Sequence, residues 1–281
     1  MKNFLWFTEN FEIDKGRLLQ VAVKKVLEQR KSEFQQIEVF ETVAFGRMLV
    51  LDGIIMVTQH DNFAYHEMMV HVPMNVHPCP KRVLIVGGGD GGALKEVLKY
   101  DSVEEVVLCE IDAEVIVSSQ KYFPEFRKSF LDKRTQIVIR DAAEYVKQQK
   151  NAFDVICVDS SDPVGPAEVL FRKEFYTNMY KALTADGIVT SQSESMYYHR
   201  DFISKLFKQN REIYKFVDYY YTIIPTYPSG TIGFSFCSKK YKPLDNLDNK
   251  RIKKLKKLQY YNQDIHKASF MHPEFFKKFL S

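Results

Sequence analysis

The chain has 281 residues, of which 45% are apolar, 27% charged and 14% aromatic. This composition indicates a folded globular protein with one large core or two unequal ones, and it excludes disordered, collagen-like and coiled-coil classes. Apolar runs such as 83–86 are far shorter than the roughly 20 residues that a membrane helix needs. No secretory signal is visible in residues 1–10, so we expect a soluble cytoplasmic protein with no membrane partner.

The formal net charge is +4, but six of the positive charges lie in one short stretch near residue 250. They are Lys250, Arg251, Lys253, Lys254, Lys256 and Lys257. Without them the rest of the chain carries a formal charge of −2, which argues against a nucleic-acid partner and allows an acidic active site. The stretch itself is typical of a solvated surface helix. The four cysteines show no CxxC spacing, so we expect reduced thiols.

The residues up to 78 are rich in alternating and β-branched stretches, with turn signals at 45–47 and 52–53. Strands are predicted over 19–27, 37–45, 48–51 and 54–58, and no long amphipathic helix is expected. Residues 1–78 are therefore predicted to form a small N-terminal antiparallel β domain.

From residue 79 to residue 281, short apolar runs alternate with helical segments. The predicted strands are 82–86, 105–110, 135–140, 153–159 and 187–192, and the predicted helices are 93–99, 113–122, 142–149, 173–183 and 200–210. This alternation predicts an α/β fold whose parallel sheet has helices on both faces. The runs 217–224 and 231–238 predict an antiparallel hairpin at the end of the sheet, followed by the basic helical segment.

A glycine-rich loop, Gly-Gly-Gly-Asp-Gly-Gly at 87–92, follows the first of these strands. Gly87, Gly89 and Gly92 fit the GxGxxG pattern, which alone is a weak signal because a tight strand-to-helix turn needs similar glycines. Glu110 strengthens it, since this residue ends the next strand about 20 positions later, where an acid can bind both hydroxyls of a ribose. The pattern predicts a site for an adenosine-type ligand.

Asp90 inside this loop indicates which nucleoside fits. A carboxylate about 5 Å from a phosphate would cost roughly 3 kcal/mol at an effective dielectric constant of about 20, which disfavours a dinucleotide pyrophosphate. The same charge attracts a cation, and a sulfonium nucleoside such as S-adenosylmethionine or its decarboxylated form is a cation. The alternative is that Asp90 only caps the following helix.

Two more aspartates end strands of the predicted sheet. Asp141 follows the third strand and Asp159 the fourth, so both lie at the carboxyl edge of the sheet, where open α/β sheets bind ligands. The segment 159–166, Asp-Ser-Ser-Asp-Pro-Val-Gly-Pro, forms a loop in which Asp159 and Asp162 can face one cavity. Asp and Ser residues also satisfy ordinary turns, but beside the glycine loop they favour an acidic pocket for a basic substrate.

The run 66–71, His-Glu-Met-Met-Val-His, invites comparison with zinc motifs. Its histidines are five residues apart rather than the four of HExxH, so we expect no metal there or elsewhere. Tyr65 and His66 are either core residues or part of the site.

Five segments together resemble the spermidine synthases, a family of polyamine aminopropyltransferases. They are 63–68 (FAYHEM), 87–92 (GGGDGG), 109–112 (CEID), 159–163 (DSSDP) and 224–230 (IPTYPSG). The similarity extends from residue 6 to residue 266. It implies a small N-terminal β domain, a Rossmann-like methyltransferase-type catalytic domain, and a homodimer or homotetramer. It also implies transfer of the aminopropyl group of decarboxylated S-adenosylmethionine to putrescine, giving spermidine and methylthioadenosine.

The resemblance also implies roles for individual residues. The positions that match donor contacts are Gln35, His66, Asp90, Glu110, Asp141, Ala142 and Pro166. The positions that match acceptor contacts are Tyr65, Asp159, Asp162, Gln192 and Tyr227, with Asp159 as the proton acceptor. Many family members have Gln at the position of His66 and Gly at that of Ala142. The donor is a co-substrate, so no resident cofactor is expected.

The chemistry fits these roles. An attacking amine must be neutral although alkylamines ionise near the lysine value, so Asp159 is expected to take its proton, with Tyr65 orienting the lone pair. Asp162 then helps to hold the charged far end of the acceptor, and Asp90 binds the donor's ammonium. Three alternatives remain open: a small-amine N-methyltransferase, an aminopropyltransferase for cadaverine, agmatine or spermidine, and a non-catalytic polyamine-binding protein.

Overall fold

The computed structural model describes residues 4–9, 11–162 and 165–280, and for residues 165 and 166 it describes the backbone alone. An N-terminal sheet contains five antiparallel strands in chain order. They are β1 (Leu5–Glu9), β2 (Leu19–Lys31), β3 (Gln36–Thr42), β4 (Arg47–Leu51) and β5 (Ile54–Thr58). The predicted small antiparallel sheet is confirmed, with β1 as an additional edge strand.

No long amphipathic helix was expected before residue 78, and the long helix found there is not amphipathic. Helix α1 spans Asn62–Val76, and every residue in it except Phe63 is buried. A helix that is buried on all sides has no solvent-exposed polar stripe, so the 3.6-residue alternation that normally indicates a helix is absent from its sequence. It packs against the next helix and against the large sheet that follows.

The second sheet has seven strands in the order β11-β12-β10-β9-β6-β7-β8. The strands are β6 (Arg82–Gly87), β7 (Glu105–Glu110), β8 (Thr135–Ile139), β9 (Phe153–Asp159), β10 (Leu183–Gln192), β11 (Phe216–Ile223) and β12 (Thr231–Ser238). Strands β6 to β10 pair in parallel, and β12 pairs antiparallel with both β10 and β11. The predicted parallel sheet with an antiparallel end is confirmed.

Nine helices follow α1 in the described residues, on both faces and at the C-terminal end. They are α2 (Gly92–Val97), α3 (Ala113–Tyr122), α4 (Pro124–Phe130), α5 (Ala142–Lys147), α6 (Lys173–Ala182), α7 (Arg200–Arg211), α8 (Asn249–Lys254), α9 (Gln263–Ala268) and α10 (Glu274–Leu280). Among the described residues, no helix is long and apolar enough to cross a membrane.

The core lies on both faces of the seven-stranded sheet because successive side chains of a strand point to opposite faces. On β6, Val83 and Ile85 pack in the cluster that contains α1 and α2, whereas Leu84 and Val86 pack in the cluster that contains α6. Both pairs are fully buried. This arrangement fixes the carboxyl ends of β6, β7 and β9 side by side, where the predicted ligand-binding residues lie.

The basic stretch is less helical than predicted. Helix α8 ends at Lys254, and Leu255 is extended. Arg251 donates hydrogen bonds to the carbonyls of Met74, His77 and Pro78 at the end of α1. One of the basic side chains therefore has a structural role in fastening the C-terminal segment to α1.

Candidate active site

A cavity of about 370 Å³ lies at the carboxyl ends of β6 to β9 and is closed on the other side by the N-terminal sheet. The sheet contributes Leu49, Leu51, Ile54 and Met56 to the wall. Eight of the predicted site residues line it: Gln35, Tyr65, Asp90, Glu110, Asp141, Ala142, Asp159 and Tyr227. The structure thus brings together residues that are as much as 192 positions apart in the chain.

The glycine loop is fastened to the end of β9. The N–H of Gly88 donates to the carbonyl oxygen of Asp159 at 2.9 Å. Gly87 has a φ of +74°, and a Cβ there would lie 2.3 Å from the same oxygen. Only glycine meets both demands, because the left-handed backbone and the close approach each exclude a side chain. The loop therefore holds Asp90 and Asp159 at one end of the cavity.

Glu110 lies across the cavity from Asp90, at the end of β7. Its side chain is buried and accepts the N–H of Asp112 at 2.9 Å. Burial outweighs this hydrogen bond and raises the pKa of Glu110 to about 7. A Cβ on Gly89 would lie 3.0 Å from Glu110 Oε2, so the absence of a side chain at 89 keeps the space in front of the carboxylate open.

The other predicted donor-binding residues form the rim of the cavity. Gln35 donates from its amide to Asp112 at 2.9 Å, which ties the N-terminal sheet to the second sheet. Asp141 accepts the N–H of Ala143 at 2.8 Å, so it caps α5 while it also lines the cavity. The side chain of Pro166, which the sequence placed here, lies outside the described residues.

Asp90 meets two partners. One carboxylate oxygen accepts the N–H of Gly92 at the start of α2, and His66 Nε2 lies 3.3 Å from the carboxylate. The capping contact that the sequence analysis gave as the alternative is therefore present together with exposure to the cavity. His66 does not line the cavity wall itself; it contacts Asp90 on the side that faces away from the cavity.

His66, Asp90 and Asp159 form a compact polar cluster in which one nitrogen and two carboxylate oxygens lie within 4.8 Å of one another. Burial and the charge of Asp90 raise the pKa of Asp159 to about 7. One carboxylate oxygen of Asp159 is buried without a hydrogen-bond partner. This spacing suits a single small cation, either a metal ion or an ammonium group. An ammonium arriving here would neutralise the surplus negative charge.

Two tyrosines narrow the cavity next to Asp159. The rings of Tyr65 and Tyr227 lie 6.1 Å apart, and the Tyr227 hydroxyl donates to the carbonyl of Met56 at 3.0 Å. Burial and the neighbouring Asp159 hold the pKa of both tyrosines well above the ordinary value. Both phenols therefore remain neutral and can donate a hydrogen bond at physiological pH.

Beyond the tyrosines lies a second, smaller cavity of about 70 Å³. It shares Tyr65, Tyr227, Ser160 and Ser161 with the larger cavity. Asp162 and Gln192, both predicted to bind the acceptor, lie in its wall, and the Gln192 amide donates to Asp162 at 3.1 Å. Burial and the neighbouring Glu194 raise the pKa of Asp162.

Sequence reasoning missed the other carboxylates of the smaller cavity and its histidine, namely Glu9, Glu12, Glu194 and His199. His199 lies between two carboxylates, 2.8 Å from Glu194 and 3.0 Å from Glu12. Burial raises the pKa of Glu9 to about 7. Glu194 has a φ of +65° and a buried carboxylate oxygen without a partner, and such backbone strain is typical of functional residues. The sequence did offer one signal for Glu194, which is an acid two positions after the end of β10.

Comparisons with known proteins agree with this geometry. A family model described as "Spermine/spermidine synthase domain" matches residues 62–249, and one described as "Spermidine synthase tetramerisation domain" matches residues 5–59. A polyamine aminopropyltransferase of Leptospira biflexa is 50% identical over 98% of both chains. A spermidine synthase of Dictyostelium discoideum is 46% identical over 98% of this chain and 97% of its own. The chain belongs to the spermine/spermidine synthase family.

Solved structures of this family superpose closely. A spermidine synthase in complex with the transition-state analogue AdoDATO has a TM-score of 0.96 and 41% identity, and the match covers 99% of this chain and 96% of that one. The spermidine synthase of Thermotoga maritima has a TM-score of 0.93 and 40% identity over 99% of this chain and 95% of its own. The spermidine synthase fold predicted from the sequence is confirmed.

The histidines that suggested a zinc motif have unrelated partners in this family member. His66 faces Asp90, whereas His71 contacts Glu96 and Tyr100 at 2.9 Å each. Glu67 accepts three backbone N–H groups from residues 259–261. The run therefore serves the active site with one residue and the core packing with the other two.

Proposed function

We propose that this protein transfers the aminopropyl group of decarboxylated S-adenosylmethionine to putrescine, giving spermidine and methylthioadenosine. The observation that carries the proposal is the pair of joined cavities, which share Tyr65, Tyr227, Ser160 and Ser161. A cationic nucleoside fits the larger cavity and a short diamine fits the smaller one. Asp90 and Asp159 line the larger cavity, and Asp159 directly precedes the shared Ser160.

The larger cavity offers contacts along the whole donor. Glu110 can accept hydrogen bonds from both ribose hydroxyls, and Asp141 can accept one from the adenine amino group. Asp90 faces the end of the cavity where the aminopropyl ammonium would lie. An α-carboxylate on the donor would stand beside Asp90, so ordinary S-adenosylmethionine should bind more weakly.

The smaller cavity suits the far ammonium of the acceptor. Its wall contains three buried carboxylates, Glu9, Glu12 and Glu194, and the half-buried Asp162. His199 together with other basic residues balances only part of their charge. A cation entering this space would deprotonate the groups whose pKa is raised, because it stabilises their charged form. The near end of the diamine then lies between Tyr65 and Asp159.

Asp159 receives the proton in the proposed reaction. The neutral amine attacks the methylene carbon next to sulfur, the new C–N bond forms, and the C–S bond breaks with its electron pair on sulfur. The sulfonium thereby becomes the neutral thioether of methylthioadenosine, and the proton of the nitrogen passes to Asp159. Positioning of the two reacting atoms supplies most of the rate enhancement, and the reaction needs no metal or resident cofactor.

The N-terminal sheet supports an oligomer. Leu5, Trp6 and Leu18 expose 52–62% of their surface, an unusual group of apolar residues on one small sheet. Because the same residues belong to the segment that matches a tetramerisation domain, we assign these side chains to contacts between copies in a homotetramer. The four free thiols agree with a reducing compartment, and we place the protein in the cytoplasm.

The test is product analysis with each donor separately. Purified protein, putrescine and decarboxylated S-adenosylmethionine should yield spermidine and methylthioadenosine in equal amounts, as identified by chromatography and mass spectrometry. Ordinary S-adenosylmethionine is the matched control donor. Methylated putrescine from the control donor would overturn the proposal in favour of a methyltransferase. Tight polyamine binding without any product would favour a binding protein.

A further inference from the structure

His66 occupies an unusual position for an ionisable residue. Its side chain is 3% exposed and lies directly behind Asp90, with Nε2 3.3 Å from the carboxylate. The ring also lies over Gly92, where a Cβ would be only 2.1 Å from the ring carbon Cε1. Phe126 of α4 meets the ring edge-on at 5.9 Å. The imidazole is therefore held in one place and has little room to rotate away from Asp90.

Among the described residues, the charged groups with the largest effect on His66 are acidic. Asp90 comes from the glycine loop, Asp159 from the end of β9 and Glu96 from α2, and α4 contributes only the apolar Phe126. Burial lowers the pKa of His66, but the three carboxylates outweigh it and raise the pKa above the ordinary value. In the empty site, the imidazolium therefore offsets part of the negative charge of the cluster.

The imidazolium has a weakness that the neutral ring lacks. Nδ1 is buried and has no hydrogen-bond partner, so a proton on Nδ1 would leave an unsatisfied donor. The imidazolium is therefore stabilised by electrostatic attraction to the carboxylates rather than by a full set of hydrogen bonds. Another cation at the same carboxylates would remove that support.

We infer that His66 exchanges its proton for the donor's ammonium: the site holds a protonated His66 when empty and loses that proton to solvent when the donor's cationic arm reaches Asp90. This inference rests on the proposed function and extends it to a specific proton-linked binding step. No bond other than N–H is broken, and the released proton goes to buffer. His66 is thus a positioning residue that makes donor affinity depend on pH.

Loss of the His66 proton on binding makes donor affinity depend on pH. Below the raised pKa of His66, the donor binds only when His66 loses its proton. The dissociation constant of the donor should therefore increase by up to about tenfold for each unit by which the pH falls. Above that pKa His66 has no proton to lose, and it adds no further pH dependence to the affinity. Glutamine at position 66 has no proton to lose and keeps a comparable length.

The experiment is calorimetric titration of the protein with decarboxylated S-adenosylmethionine in two buffers of different ionisation enthalpy, repeated at about pH 6 and about pH 8. The parent and His66→Gln are compared, both alone and in the Asp159→Asn background, which removes the other titrating group of the cluster. At the lower pH the parent should release up to about one proton more than His66→Gln. Its dissociation constant should weaken between the two pH values by roughly three- to tenfold more than that of the variant.

Methylthioadenosine is the matched control ligand because it lacks the cationic arm. Its binding should release the same number of protons from the parent and from His66→Gln, and equal affinity also shows that the variant is folded. Equal proton release by both proteins with the cationic donor would overturn the inference. Failure of the parent to bind the cationic donor at the higher pH would instead overturn the proposed function.

Discussion

Replacing Asp159 with asparagine should make the protein more stable at alkaline pH while it slows the reaction. Burial and Asp90 raise the pKa of Asp159 from the ordinary 3.8 to about 7. A carboxyl whose pKa is raised on folding costs stability when it is charged. The cost is absent below the ordinary value, increases between the two values and is complete above about pH 7. Asparagine carries no charge and avoids this cost.

The size of the effect follows from the shift. Roughly three pH units at about 1.4 kcal/mol each give an upper limit of about 4 kcal/mol. Because Asp159 is only half-buried and water in the cavity screens it, we expect about half of this, on the order of 2 kcal/mol at pH 8. The difference between the two proteins should shrink steadily towards about pH 5.

Turnover should change in the opposite direction. Loss of the proton acceptor should lower kcat by roughly 10² to 10⁴, the range for a positioned general base. With saturating donor, so that the proton on His66 does not affect binding, kcat of the parent should rise with pH on the acidic side. Asp159→Asn should lose this limb, whereas the control Asp162→Asn should keep it.

The assays are urea unfolding at several pH values and initial rates of spermidine formation. Unchanged affinity for methylthioadenosine serves as the folding control for both variants. A stability difference that does not vary with pH would refute the raised pKa of Asp159. Turnover of the variant within about threefold of the parent would refute its role as the base.

Three further substitutions test the fold, the site and the assembly. Glu67→Gln should lower the free energy of unfolding by about 2 to 3 kcal/mol in a urea titration, because one of three backbone N–H donors from 259–261 loses its acceptor. The control Glu104→Gln, in the exposed ion pair with Lys81, should change it little. Gly92→Ala should displace His66, because the new Cβ would clash with its ring, and should weaken cationic-donor binding at least about tenfold by calorimetry. If this clash is the cause, adding His66→Ala should restore the free energy of unfolding. Trp6→Glu should reduce the assembly size in light scattering, and the exposed control Leu131→Glu should not; equal masses would contradict the assignment of this sheet to the interface.

The sequence was most informative where the local pattern and the fold agree. Strands β7, β9 and β12 begin and end at the predicted residues, because buried strands show as short apolar runs between polar turns. Helix α1 could not be found in this way, since burial on every side removes the alternation that indicates a helix. Helix α4 follows α3 after a single residue, and Pro124 at its first position was a start signal that the sequence analysis did not use.

Some residues of the site could likewise be predicted from the sequence, and others could not. Acids at the ends of β6, β7, β8 and β9 could be placed together from topology alone, since parallel strands share one carboxyl edge. Glu9 and Glu12 could not, because they come from the first strand and the turn after it. Only the tertiary contact between the turn after β1 and the loop after β10 brings them to Glu194 and His199.

Competition between the two donors tests the central claim most directly. Purified protein receives putrescine together with equal concentrations of decarboxylated and ordinary S-adenosylmethionine, and the amine product is analysed by mass spectrometry. The carboxylates of Asp90 and Asp159 in the larger cavity predict that the product is spermidine, with methylthioadenosine formed in equal amount and no methylated amine. A product that carries a methyl group, or methylthioadenosine formed without spermidine, would contradict aminopropyl transfer.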